Sequence, residues 1–265
     1  MTHSAVPTIQ IATLHAMKQR GEKIVCLTAY DASFARLFEA SGVEVLLVGD
    51  SLGMVVQGHP HTLPVTLDDI VYHTRCVSRV CQRALVIADL PFLSYATPAN
   101  AARSAARLLR DGGAQMVKLE GARPKLVQCL VENGVPVCGH LGVLPQFVHL
   151  SGYKVQGKDP ETAQRIAEEA WALQQAGASL LILECVPAAL AAMIRQNLTI
   201  PVIGIGAGAD CDGQVLVSYD MLGLTPPPHP RFVRDFSDAG TVQEATDAYV
   251  RAVKQGTFPG PEHSY

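Results

Sequence analysis

Short apolar runs that stop at an ionisable residue recur along the chain: Val45 to Asp50, Leu85 to Asp89, Met116 to Glu120, Val135 to His140 and Leu180 to Glu184. Such runs are too short for helices and too uniformly apolar for strands with one wet face, so they read as buried parallel strands. Helical patterns fall between them, which predicts βα units and a parallel sheet. In a (β/α)₈ barrel all strand ends gather on the face that carries the chemistry, and a charge there reads as catalytic. Four of the five runs end in an acid and one in a histidine, and Lys118 lies two residues before Glu120. That mixture suits a divalent cation, an anionic substrate and a base.

The chain has 265 residues, close to the roughly 250 of a typical barrel. No break in composition marks a second domain, so one barrel domain over 1–265 is expected. Charged residues make up 17% and the net charge is −3, which leaves no electrostatic footprint for nucleic acid or an acidic membrane. No segment approaches the length of a membrane span. The start, Met1 to Thr8, lacks the basic and apolar regions of a signal peptide. The seven cysteines are scattered without a Cys-x-x-Cys pair, as expected for reduced thiols in a cytoplasmic protein.

The pattern predicts a helix over 8–19 closing the barrel bottom, a first strand over 24–30, and a helix from Asp31 stopped by Gly42. The polar stretch 51–64 is long for a loop without regular structure and reads as a lid. Thr97-Pro98 and Asp159-Pro160 open helices with a cap and a proline at the first helical position. Strands are expected at 116–121, 135–142 and 179–185, and another from Pro201 into a glycine-rich turn. Gln214 to Tyr219 is the remaining candidate for the eighth. Pro226 to Pro230 reads as a stiff connector. Thr241 to Glu244 forms a capping box for a last helix, with Val242, Ala245, Tyr249 and Ala252 on one face.

Each candidate site residue also has a structural reading. Asp50 follows Gly49 and Asp89 precedes Leu90-Pro91, so either could serve a turn. Two carboxylates brought together repel unless a cation or a proton lies between them. A hard cation with oxygen ligands, Mg²⁺, resolves that conflict. Lys118 and Glu120 leave the same strand face. They could pair with each other, or Glu120 could reach the ion or its water while Lys118 meets a substrate carboxylate. His140 could be a core histidine bonded to backbone. Glu184 sits between Leu180-Leu-Ile-Leu and Cys185-Val-Pro; desolvation there would raise its proton affinity and make it a base, the alternative being a partner for an amide or an arginine. Gly204 to Ala209 superficially fits a dinucleotide fingerprint, but no acid follows on a suitable strand, and it reads as a tight turn. No His-x-x-x-His or Cys/His cluster supports zinc.

A dozen ordered motifs carry a more specific resemblance. They include Thr28-Ala-Tyr-Asp31, Leu47-Val-Gly-Asp-Ser-Leu-Gly-Met54, Thr62-Leu-Pro-Val-Thr66, Ala88-Asp-Leu-Pro-Phe92, Val117-Lys-Leu-Glu-Gly121, Pro136-Val-Cys-Gly-His-Leu-Gly142, Gly152-Tyr-Lys-Val-Gln-Gly157 and Leu183-Glu-Cys-Val-Pro187. Almost end to end the chain resembles the ketopantoate hydroxymethyltransferase family. The resemblance implies a (β/α)₈ TIM barrel of the phosphoenolpyruvate/pyruvate type, with an extra N-terminal helix and a C-terminal helical tail. It implies transfer of a hydroxymethyl group from 5,10-methylenetetrahydrofolate to 3-methyl-2-oxobutanoate, giving 2-dehydropantoate for pantothenate and coenzyme A synthesis, through a Mg²⁺-stabilised enolate. By position it assigns Asp50, Asp89 and Glu120 to Mg²⁺, Asp50, Ser51, Asp89 and Lys118 to the oxo acid, and Glu184 as the base. His140 is an auxiliary that could bond the new hydroxyl. It also implies a cytoplasmic homo-oligomer, often a decamer. Two rivals are a Mg²⁺-dependent C–C lyase of the same barrel group and a noncatalytic binding barrel. The Lys-Lys-Cys-Gly-His motif sought for the lyase is missing.

Overall fold

The computed structural model describes residues 7–265; the signal-peptide reading of the first residues falls mainly on positions outside them. Among the described residues eight strands close a barrel in sequence order. They are β1 (Ile24–Thr28), β2 (Val45–Val48), β3 (Leu85–Asp89), β4 (Met116–Glu120), β5 (Val137–Gly142), β6 (Leu180–Glu184), β7 (Val202–Ile205) and β8 (Gly213–Leu216). Every neighbouring pair is parallel, and β8 returns to β1 with Cys26 opposite Val215. The strands are buried almost throughout, because the barrel interior covers one face and the helices the other, and this explains their unbroken apolar character.

Among the described residues five of the helices begin at a side-chain cap, whereas the first, expected from residue 8, starts at Ile11. In α1 (Ile11–Gln19) and α2 (Ala32–Ala40) the contrast is plain: Gln10 offers α1 only a weak cap, whereas Asp31 accepts from the amides of Ser33 at 2.7 Å and Phe34 at 3.0 Å. A short turn, α3 (Leu52–Val55), precedes α4 (Leu67–Ser78), which Thr66 and Asp69 open with a reciprocal capping box. Thr97 caps α5 (Pro98–Arg110). After α6 (Pro124–Glu132) and the one-turn α7 (Val148–Ser151), Asp159 caps α8 (Pro160–Gln175). The chain continues through α9 (Ala188–Asn197) and the one-turn α10 (Ser218–Met221) to α11 (Val242–Lys254), opened by the Thr241/Glu244 box. Each such cap is worth about 1 kcal/mol.

Three local expectations are corrected. The 51–64 segment contains regular structure, since Ser51 starts the turn of α3. The eighth strand starts at Gly213 and stops at Leu216, and Tyr219 is helical. A Cβ at Gly213 would run into the Ile24 carbonyl oxygen, so only glycine lets β8 approach β1 there. Thr28 Oγ1 then accepts the Ser218 amide at 2.8 Å and ends the strand. In α11 the buried face is Ala245, Thr246, Tyr249, Ala252 and Val253; Val242, in the first turn, stays 39% exposed.

At the N-terminal end of the barrel α1 reaches the strand entrances: Lys18 Nζ lies 2.7 Å from Asp212 Oδ2 and donates to the Arg195 carbonyl. All seven cysteines are free thiols, with Cys26, Cys138, Cys185 and Cys211 buried. Among the described residues no helix is long and apolar enough to cross a membrane.

Candidate active site

The opposite end of the barrel collects the ionisable residues that terminate the strands. Register brings them together in layers: Asp89 of β3 lies beside Lys118 of β4, Glu120 beside His140 of β5, and Gly142 beside Glu184 of β6. Asp50 follows β2 by two residues, and its amide donates to Asp89 Oδ2 at 3.0 Å. Gly49 permits that approach. A Cβ on it would stand 2.9 Å from Ser51 Oγ and 3.6 Å from Asp89 Oδ2. Ser51 Oγ in turn shares a 2.8 Å hydrogen bond with the Tyr30 hydroxyl.

Lys118 Nζ sits 2.9 Å from Asp89 Oδ1, an ion pair in which both side chains are buried. Its other neighbour is His140 Nδ1 at 3.4 Å. An ammonium can only donate, so Nδ1 accepts and the imidazole proton resides on Nε2. That nitrogen faces Glu184 Oε2 at 3.3 Å. Burial, then the Lys118 charge, pushes the His140 pKa below its ordinary value, consistent with a neutral ring. The histidine therefore stands between Lys118 and Glu184, accepting from the first and close to the second without an aligned hydrogen bond to it, and is no isolated core residue bonded to backbone.

Three acids and one lysine occupy the buried part of the site, so negative charge is in excess. Burial and then the Asp89 charge raise the Asp50 carboxyl to about 7. Burial and the Asp50 charge raise Glu120 well above the carboxylate range. For Lys118 burial opposes the charge, but Asp89, Glu120 and Asp50 outweigh it and hold the ammonium above its ordinary pKa. Of two buried carboxylate oxygens, Asp89 Oδ1 has only its ion pair with Lys118 and Glu120 Oε1 has no hydrogen bond. Buried polar atoms are normally satisfied, so carboxylate oxygens left this incomplete in an acid-rich pocket fit a hard cation. Among the described residues no three His, Cys, Asp or Glu side chains close around a point by themselves. Mg²⁺ commonly takes one or two carboxylates and completes its octahedron with water or substrate oxygens, which the Asp50 and Asp89 pair can supply; Glu120 stands further round the wall.

Glu184 differs from its expected setting. Its side chain keeps 15% exposure, because the flanking apolar residues point into the core between barrel and helices while Glu184 faces the mouth. Cys185 follows with φ 48°, a left-handed conformation that non-glycine residues rarely adopt and that concentrates at functional sites.

The sequence pattern missed Gln146, Tyr95 and Tyr153. Gln146 is buried in the single turn Pro145–Phe147 after β5 and bonds Asp50. Tyr95 donates to Gln146 Oε1 at 2.6 Å. Tyr153 is half-exposed at the mouth; burial, then the charges of Glu184, Asp50 and Glu120, pushes its phenol up. A proline-flanked glutamine and two loop tyrosines carry no periodic signal that sets them apart. Above the mouth, the ring of His61 meets His149 of α7 edge to face at 5.1 Å.

A closed parallel barrel with a metal-suited acid cluster at its strand ends is the design of a TIM-barrel enzyme. Among solved structures the fold is similar to 2,3-dimethylmalate lyase, a PEP mutase/isocitrate lyase superfamily member, with TM-score 0.57 and 17% identity over 80% of this chain and 82% of that one. The family model described as ketopantoate hydroxymethyltransferase matches residues 8–261. The 3-methyl-2-oxobutanoate hydroxymethyltransferase of Halorhodospira halophila is 56% identical, covering 99% of this chain and 97% of the relative. That of Methylococcus capsulatus is 60% identical, with 97% of each covered. The chain belongs to the ketopantoate hydroxymethyltransferase family.

Proposed function

We propose that the protein, as one domain over 1–265, transfers a hydroxymethyl group from 5,10-methylenetetrahydrofolate to 3-methyl-2-oxobutanoate. One water is consumed, and 2-dehydropantoate and tetrahydrofolate leave. The observation that carries this reading is the joining of Asp50, Asp89, Lys118, His140 and Glu184 in one chain of contacts at the barrel mouth. Names of relatives at 56% and 60% identity support the oxo acid as substrate.

Asp50 and Asp89, with Glu120 behind them, would hold Mg²⁺. When bound, the ion supplies Lewis acidity at the keto oxygen and so favours the enolate. Lys118, fixed by Asp89, presents a positive charge to the substrate carboxylate, and Ser51 a hydroxyl or amide donor. Glu184 accepts the C3 proton, oriented by the Nε2–H of His140. Removing that proton leaves a carbon nucleophile that attacks the folate methylene as its iminium, formed when one of its two C–N bonds opens. Water then replaces the remaining C–N bond, so that its oxygen enters the hydroxymethyl group and tetrahydrofolate leaves. Stretch 51–64, held to α7 by the His61 and His149 rings, shields the step from water. We further propose a cytoplasmic homo-oligomer, a decamer by family resemblance.

The test is proton exchange in D₂O without folate. With 3-methyl-2-oxobutanoate and Mg²⁺, the C3 proton signal should decay by NMR. Decay at the buffer rate would reject enolisation, and decay in Glu184→Gln at the full rate would reject the assigned base.

A further inference from the structure

Gln146, which no sequence pattern singled out, hydrogen-bonds two members of the acid cluster, Asp50 and Glu120. One amide hydrogen of its Nε2 goes to Asp50 Oδ2 at 2.8 Å and the other to the Leu90 carbonyl at 3.0 Å. Its backbone amide donates to Glu120 Oε2 at 3.0 Å. Its Oε1 accepts from the Tyr95 hydroxyl, which accepts from the Glu120 amide at 3.4 Å. The orientation of the amide is therefore determined, because the Leu90 carbonyl can only accept. A closed circuit runs from Glu120 through Tyr95 and Gln146 to Asp50. It occupies one oxygen of each acid and leaves Glu120 Oε1 as the buried oxygen without a partner.

We propose that Gln146 is a positioning residue for the cation site: by holding Asp50 Oδ2 and Glu120 Oε2 it turns the remaining oxygen of each acid toward a divalent ion. The inference rests on the metal reading above. A neutral amide suits the task because it donates to two acceptors without adding a charge to a cluster already rich in negative charge. Tyr95 acts one step further out, by fixing which end of the amide faces Asp50. Groups that orient metal ligands in this way typically contribute 10- to 100-fold in metal affinity.

The test measures Mn²⁺ binding by electron paramagnetic resonance of the free ion, without substrate, on the full chain. Gln146→Met keeps the length and removes the amide, and should weaken Mn²⁺ binding at least about 10-fold while the metal-free melting temperature holds. Gln146→Glu, which sets a carboxylate against Asp50, should bind more weakly than wild type and should not rescue the methionine variant. Equal Mn²⁺ affinity in wild type and a folded Gln146→Met protein overturns the proposal. Should Gln146→Met fail to fold, Tyr95→Phe decides: a several-fold loss of affinity supports the circuit, and an unchanged affinity overturns it. Failure of wild type itself to bind Mn²⁺ would remove the metal reading and this proposal with it, a result distinct from equal binding by both proteins.

Discussion

Both ends of the barrel bury acids, yet they treat them in opposite ways. At the N-terminal end Asp212 is fully engaged: Oδ1 meets Arg195 Nε at 2.7 Å, while Oδ2 meets Lys18 Nζ at 2.7 Å and accepts the Val202 amide at 2.9 Å. Glu44 likewise takes Lys254 at 2.7 Å and the Val25 amide at 2.9 Å. At the C-terminal end Asp89 and Glu120 each keep an oxygen without an aligned donor, and the Nε2–H of His140 lacks an aligned acceptor. Cations at one end complete the acids and lock elements distant in sequence. At the other end a single lysine serves three acids, so the protein tolerates electrostatic repulsion that a ligand can relieve. Buried charge alone does not mark a site; buried charge left incomplete does.

That contrast can be broken by mutation. Asp89→Ala removes the partner of Lys118 and a proposed metal oxygen, so turnover should fall by about 10³-fold in steady-state assays while circular dichroism stays native. A loss of less than tenfold would mean the upper cluster is structural. Asp212→Ala should do the reverse, costing about 3–5 kcal/mol in urea unfolding because Lys18 and Arg195 lose a buried partner, with kcat per folded molecule unchanged.

The pH dependence sharpens the comparison. Asp50 is held near 7 in the fold, above its ordinary 3.8, so between those values the folded state carries the extra proton. Stability contributed by this group is therefore present at low pH and lost as pH rises from about 4 to about 7. Thermal melts of metal-free protein should show that decline, and Asp50→Asn should flatten it. Mg²⁺ should offset the decline most strongly near pH 7, where it displaces the proton. The smallest effect is expected at the lower rim. Lys254 is 28% exposed, so Lys254→Met should cost at most about 1 kcal/mol in the same unfolding assay, with no change in turnover.

Much of this was legible because period and punctuation are local. The strand ends at Asp89, Glu120 and Glu184, and the caps at Asp31, Thr66, Thr97, Asp159 and Thr241, are set by neighbouring residues. Lys118 and Glu120 share a face because strand side chains alternate. Lys18 and Asp212 are 194 residues apart, and no local pattern predicts that they meet. Gln146 was missed for the same reason: whether a loop glutamine turns inward depends on Asp50, Leu90 and Tyr95, contributed by other elements. Glu184 was expected to be sealed, but its exposure is decided by loops above the barrel.

The order of strands and helices, the family, and the identity of the acids at the strand ends were fixed by the chain itself, since burial period, capping chemistry and motif order all act over short spans. Only closure of the barrel decided which oxygens would find partners. Hydrogen bonds require a few ångströms and a direction, and the residues that supply or withhold them here are brought into reach by tertiary packing.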